Sequence, residues 1–167
     1  MFDFFSTLVS SKKLKFDKGE VKLLGTNMCL IPPEVYVEML VGLEKDSEED
    51  LLYTLSKESG KKWFSELLNF SPVKTKQEGC DFVKKILNIL AVGKVEIVSA
   101  DIVNCTAVVQ LHNSLMPDLC GKRTAPVDLQ FSGYLAGAFS LVFEKDVSCK
   151  ELKCKAVNAD FCEFIVS

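Results

Sequence analysis

Seven cysteines and one histidine are the side chains of this chain whose chemistry needs explaining. An odd number of cysteines cannot pair completely within one chain, and the N-terminus carries no secretory pattern. The expectation is therefore free thiols in a reducing, cytoplasmic setting, most of them buried as small hydrophobes. Three of them, Cys149, Cys154 and Cys162, crowd into the last twenty or so residues. His112 is alone at the end of an apolar run, with no recognisable Ser or Cys partner for a nucleophilic triad, and reads as a structural or surface residue. Gly121-Lys122-Arg123-Thr124 resembles a phosphate loop only in composition, because it lacks the full spacing and does not follow a strand. No dinucleotide-binding glycine fingerprint is present. The residues favour binding over catalysis.

Composition narrows the partners further. A chain of 167 residues with 48% hydrophobic and 26% charged residues is expected to fold as one domain, 1–167, around its own core. A formal net charge of −3 argues against direct contact with nucleic acid, where neutralising phosphates dominates affinity. Charge runs such as Glu48-Glu49-Asp50 and Lys61-Lys62 read as solvated helix faces. No apolar run is long enough to span a bilayer, so no membrane partner is expected. Met1-Phe2-Asp3-Phe4-Phe5 reads as part of an arm, about residues 1–12, or as a contact between two copies.

The elements that must position these side chains follow from periodicity and punctuation. Residues 13–16 and 21–24 are strand-like around the turn Asp17-Lys18-Gly19. Pro32-Pro33 opens a helix whose Tyr36, Met39, Leu40 and Leu43 recur at helical spacing. Ser47-Glu48-Glu49-Asp50 has the form of a capping box, ahead of Leu52, Leu55, Ser59, Trp63 and Leu67. Thr75-Lys76-Gln77-Glu78 repeats the signal before a third helix ending near Gly93. Two β-type runs, 95–102 and 107–112, precede a loop over 114–126. A long helix over 127–143 follows, with Gly133 and Gly137 on one face, and strands over 147–155 and 161–166 close the chain. The order ββ-ααα-ββ-α-ββ predicts an α/β (α+β) fold, an antiparallel sheet with helices packed on it.

Gly133-Tyr134-Leu135-Ala136-Gly137, then Glu151 and Cys154 as E-x-x-C, then Cys162-Glu163-Phe164, are the residues that carry a resemblance to the 4-vinyl reductase domain family. The hairpin from Lys94 through His112-Asn113-Ser114 is similar as well, so the specific likeness spans residues 93–167. The resemblance implies the ligand-binding fold shared by nitric-oxide-signalling and Golgi-transport proteins, and a dimeric habit. It also implies a zinc site: sensor-type relatives use a Cys at the start of the long helix, both ends of E-x-x-C, and the final Cys. The matching positions here are Asp128, Glu151, Cys154 and Cys162, with Asp128 where many relatives carry Cys. Carboxylate oxygen is a zinc ligand, so the set remains chemically complete. Strand alternation sends Glu151 and Cys154 to opposite faces, so joint ligation requires a bulge or a strand end. Cys149 or Cys120 would serve if Glu151 points away, and the competing reading makes Cys154 and Cys162 plain buried thiols.

Three functions are compatible with these residues. A sensor or carrier would hold a small hydrophobic molecule in a pocket drawn from Trp63, Phe64, Phe82, Phe131, Tyr134 and Phe139, most of which read as core. A reductase or accessory subunit acting on a vinyl-bearing tetrapyrrole would need an electron donor for which no binding motif is legible. A scaffold would assemble with other chains, as transport-particle relatives do.

Overall fold

Two left-handed turns shape the N-terminal end of the computed structural model, which describes residues 2–46, 49–71, 73–90 and 92–167. After helix α1 (Phe2–Ser10), strands β1 (Leu14–Asp17) and β2 (Glu20–Leu23) pair antiparallel across Lys18 and Gly19. Both turn residues have positive φ, 46° and 84°, as the two-residue hairpin geometry demands. Leu24 and Gly25 repeat this at 49° and 84°, returning the chain as β3 (Thr26–Met28). The first hairpin is as expected, but its three strands pair only with one another and form a separate small sheet. A leucine at positive φ is an uncommon turn residue, which is why the second turn is not legible in sequence. The backbone of the expected arm is the helix α1; the side chains of residues 1–5, read as a contact, lie outside the described residues.

Three helices come next: α2 (Pro33–Asp46), α3 (Glu49–Leu68) and α4 (Lys76–Ile89). The expected cap at Ser47 and Glu48 lies outside the described residues. The cap of α4 forms: Thr75 Oγ1 accepts from the Glu78 N–H at 3.1 Å, and Glu78 reaches back to the Lys74 N–H at 2.7 Å. The inward face of α2 is Val37 and Leu40, flanked by Tyr36 and Val41, whereas Met39 and Leu43 point outward.

The second sheet has the order β4-β5-β7-β6, built from β4 (Lys94–Asp101), β5 (Thr106–His112), β6 (Cys149–Lys153) and β7 (Cys162–Val166), all antiparallel. Asp101 Oδ1 accepts from the N–H groups of Val103 and Asn104 at 3.0 Å each, fixing the β4–β5 turn. Val95, Val109, Leu111, Cys162, Phe164 and Val166 face inward onto α4 and the long helix α6 (Leu129–Phe143). The other face of the sheet is open. Helix α3 lies across α6, so that sheet, helix pair and α3 stack in sequence.

The α3–α6 contact depends on small residues. A Cβ on Gly137 would stand 2.2 Å from the Lys57 carbonyl oxygen and 2.6 Å from Lys61 N, and one on Gly133 would stand 2.6 Å from the Tyr53 oxygen. The residues of α3 buried beneath them are Leu52, Ser56, Gly60 and Phe64, in place of the expected Leu55 and Ser59. A short helix α5 (Leu115–Cys120) occupies the loop before α6. No described helix is long and apolar enough to cross a membrane.

Candidate functional site

Leu152 is an extra residue in β6. Glu151 pairs with Phe164 and Lys153 with Glu163, so two residues advance on β6 for one on β7. The bulge restores the parity that alternation denies, and the strand ends immediately before Cys154. Glu151 and Cys154 consequently turn to the same buried side, while Leu152 and Lys153 face out. Cys162 begins β7 directly opposite, with its sulfur 4.0 Å from that of Cys154. Asp128 arrives from a different direction, at the N-terminal boundary of α6.

One ligand atom from each of Asp128, Glu151, Cys154 and Cys162 lies within 4.8 Å of the others, and all four residues are buried. Cys149 and Cys120 are not in this cluster. The Asp128 N–H donates to Glu151 Oε2 at 3.0 Å, and Ser114 Oγ donates to the Asp128 carboxylate at 3.2 Å. The Lys155 N–H points at the Cys162 sulfur at 3.4 Å.

The electrostatics of the cluster are those of anions held together out of water. Burial, then the negative charge of Asp128, pushes the Glu151 carboxyl up to about 9. Cys162 hydrogen-bonds to Cys154 and holds that thiol low, at about 5, and the same bond together with burial pushes Cys162 up. The pair therefore shares one negative charge on Cys154. Glu151 Oε1 is buried with no hydrogen-bond partner. An orphaned carboxylate oxygen beside a second carboxylate and two thiols fits a divalent cation, which would supply the missing partner and neutralise the repulsion. Two oxygens and two sulfurs are a donor set zinc accepts. The four residues named from the sequence are thus brought together, and the cluster can hold a metal ion.

Adjoining the cluster is a cavity of about 510 Å³ between α2, α4, α5, α6 and β5. Leu40, Leu87, Leu90, Leu111, Met116 and Phe131 make it apolar, and Tyr36, Ser114, Asp128, Gln130 and Tyr134 add a few polar groups. The Tyr36 hydroxyl donates to Gln130 Oε1 in a short contact. Burial, followed by the nearby Tyr134, raises the Tyr36 phenol to about 12, so it stays a neutral donor. Such size and lining are those of a small-molecule site. On the far side of the cluster is a second hollow of about 520 Å³, with Arg123, Thr124, Ser132 and Glu151 among its walls.

Of the aromatics named from the sequence, Phe131 and Tyr134 line the cavity, while Phe64, Phe82 and Phe139 are core. Tyr36, Gln130 and Ser114 were not legible as site residues. Tyr36 gives a partial signal, since it shares the helical stripe of Leu40. His112 lies on the open face of the sheet, 3.8 Å from Glu96 and stacked near Phe161 at 5.1 Å. Gly121-Lys122-Arg123-Thr124 follows α5, and its Arg123 N–H donates to the Ala156 carbonyl.

Residues 107–167 match the vinyl-4-reductase domain. Among solved structures, the phenol-responsive sensory domain of the transcription activator PoxR with phenol is 19% identical, with a TM-score of 0.82 over 99% of this chain and 89% of that one. A trafficking protein particle complex subunit 3 from Naegleria fowleri, covalently bound to palmitic acid, is 15% identical, with a TM-score of 0.63 over 80% and 93%. A vinyl-4-reductase family protein from Methanocaldococcus jannaschii is 22% identical, with a TM-score of 0.57 over 84% and 83%. At these identities the likeness is one of fold. No curated protein sequence matches the chain.

Proposed function

We propose that this chain, whose residues 107–167 are a vinyl-4-reductase domain, is a sensor or carrier that holds a small apolar molecule and uses zinc as a structural clip. The observation that carries the reading is the cavity of about 510 Å³, apolar with a few polar groups, beside a four-residue ligand cluster. The cavity is of the size that buries a drug-sized molecule almost completely. Phenol in the PoxR sensory domain and palmitic acid in the trafficking-particle subunit are apolar occupants of the same fold, which supports this class of ligand. The four ligands leave no open coordination position for a substrate, so the metal's role is structural. Residues 1–167 act as one unit, and seven free thiols suit a reducing cytoplasm.

Thermal shift against phenol, 2-naphthol and palmitate tests the pocket, since a ligand that binds only the folded state raises the melting temperature. Ile31 is about half-exposed on the cavity wall, so Ile31→Trp fills the entrance while leaving the core intact. The shift seen with the wild-type chain should disappear in Ile31→Trp, with the unliganded melting temperature within a few degrees. A shift of equal size in the variant places the ligand elsewhere and ends the reading.

A second reading is favoured by Cys29, an exposed thiol on the same cavity wall. There the occupant is an acyl chain, transferred from an acyl thioester to the sulfur. An intact mass that does not change with hydroxylamine excludes it.

The functional unit is proposed to be a homodimer. Val35, Met39 and Leu43 form an exposed apolar stripe on α2, which supports association of two copies. Light scattering at micromolar concentration should return twice the 18.6 kDa chain mass, and the monomer mass overturns this.

A further inference from the structure

One short segment at the start of α6 belongs both to the cavity and to the metal-binding cluster. Val127 lines the cavity, and its backbone N–H is aimed at the Cys154 sulfur. Asp128 lines the cavity and offers the cluster a carboxylate oxygen, while its N–H holds Glu151. Gln130 and Phe131, in the first turn of α6, are cavity wall. Ser114, buried on the opposite side of the cavity, fixes the Asp128 carboxylate through its hydroxyl. The wall of the pocket and the clip are therefore built from the same residues.

The helix start also lacks its usual local support. Asp128 stands at the N-cap of α6, a position where aspartate ordinarily accepts from the first-turn N–H groups and adds roughly 0.5–2 kcal/mol to helix stability. Here no side-chain cap bond forms, because the carboxylate is turned into the cluster. What holds the first turn of α6 in place is the cluster itself.

We infer that the pocket and the metal cluster are thermodynamically linked through the start of α6, so that metal tightens the pocket's hold on its ligand and the ligand tightens the hold on metal. This rests on the ligand-binding and zinc readings above. Without the cation, Asp128 and Glu151 repel, the first turn of α6 loosens, and Val127, Asp128, Gln130 and Phe131 no longer present one fixed wall. An occupant that packs against that wall restores it, and so favours the arrangement that the metal requires. The direction of coupling is positive and, being a linkage of two binding equilibria, its factor is the same read from either side.

The test uses zinc and 2-naphthol, a rigid apolar probe with one hydroxyl. Calorimetry should give a Kd for 2-naphthol about tenfold lower in the zinc-loaded protein than in chelator-treated protein, within the ordinary range of such couplings. Competition with a chromophoric chelator should show zinc affinity rising by the same factor when 2-naphthol is present. Glu151→Gln separates coupling from contact, since Glu151 is not on the cavity wall. The amide oxygen keeps an acceptor for the Asp128 N–H while weakening the metal, so this variant should lose 2-naphthol affinity as chelation does. Hydrogen exchange provides a readout independent of that variant's folding: on chelation of the wild-type chain, amides at 127–131 should exchange faster while those of β5 stay protected. Equal 2-naphthol affinity with and without zinc overturns the linkage and leaves the pocket standing. Absence of binding to zinc-loaded protein at millimolar 2-naphthol overturns both the linkage and the ligand-binding reading.

Discussion

Purified without chelator, the protein is expected to carry close to one zinc per chain, and stripping it should lower the melting temperature by about 10 °C. The size of the effect follows from what the cluster joins. Asp128 begins α6, Glu151 and Cys154 end β6, and Cys162 begins β7, so one ion would tie the start of the long helix to the final strand pair. A ligand present at a thousand times its Kd stabilises the folded state by about 4 kcal/mol. For a chain of this size each kcal/mol moves the midpoint by about 2–4 °C. Cys154→Ser and Cys162→Ser should each release the metal and reproduce the chelated melting temperature, because a neutral hydroxyl is a poor substitute for thiolate. Asp128→Cys should hold zinc more tightly, since it replaces a carboxylate by the softer ligand. Elemental analysis paired with calorimetric melting reads all of these. Metal-free protein that melts at the same temperature before and after chelation would leave Cys154 and Cys162 as buried thiols.

Gly137→Ala is expected to destabilise the fold by about 3 kcal/mol, moving the midpoint down by about 6–12 °C. The added methyl would meet the Lys57 carbonyl oxygen at 2.2 Å and Lys61 N at 2.6 Å. Both are backbone atoms of α3, so no side chain can rotate away and the whole helix must retreat. Alanine's better helix propensity, about 1 kcal/mol over glycine, offsets only part of this. Gly42 is the matched control: it sits inside α2, and a Cβ there meets nothing within 4 Å. Gly42→Ala should therefore stabilise by up to about 1 kcal/mol. Urea unfolding of the two variants should give shifts of opposite sign. A Gly137→Ala midpoint equal to that of the wild-type chain means that α3 and α6 are not in contact as closely as described.

The element order and the chemistry of the cluster are properties that local sequence determines. Thr75 and Glu78 cap α4 because a hydroxyl and a carboxylate three residues apart satisfy the same exposed amides wherever they occur. Lys18-Gly19 turns a hairpin because its backbone angles are intrinsic to the turn. Asp128, Glu151, Cys154 and Cys162 were nameable from motif positions, and the requirement for a bulge followed from the two-residue period of a strand.

Tertiary structure alone decided where that bulge falls, at Leu152, because register is a property of two strands and not of one. It also decided which face of α3 is inside. Periodicity favours Leu55, yet Ser56 and Gly60 are buried and Leu55 is exposed, because the glycines of α6 bring its backbone so close that only small residues fit beneath. The pocket was equally hidden. Tyr36, Ser114 and Gln130 come from three separate segments, and no local pattern records that they meet around one cavity beside the cluster. Sequence specifies what each segment prefers; which preferences prevail depends on how closely the segments approach one another.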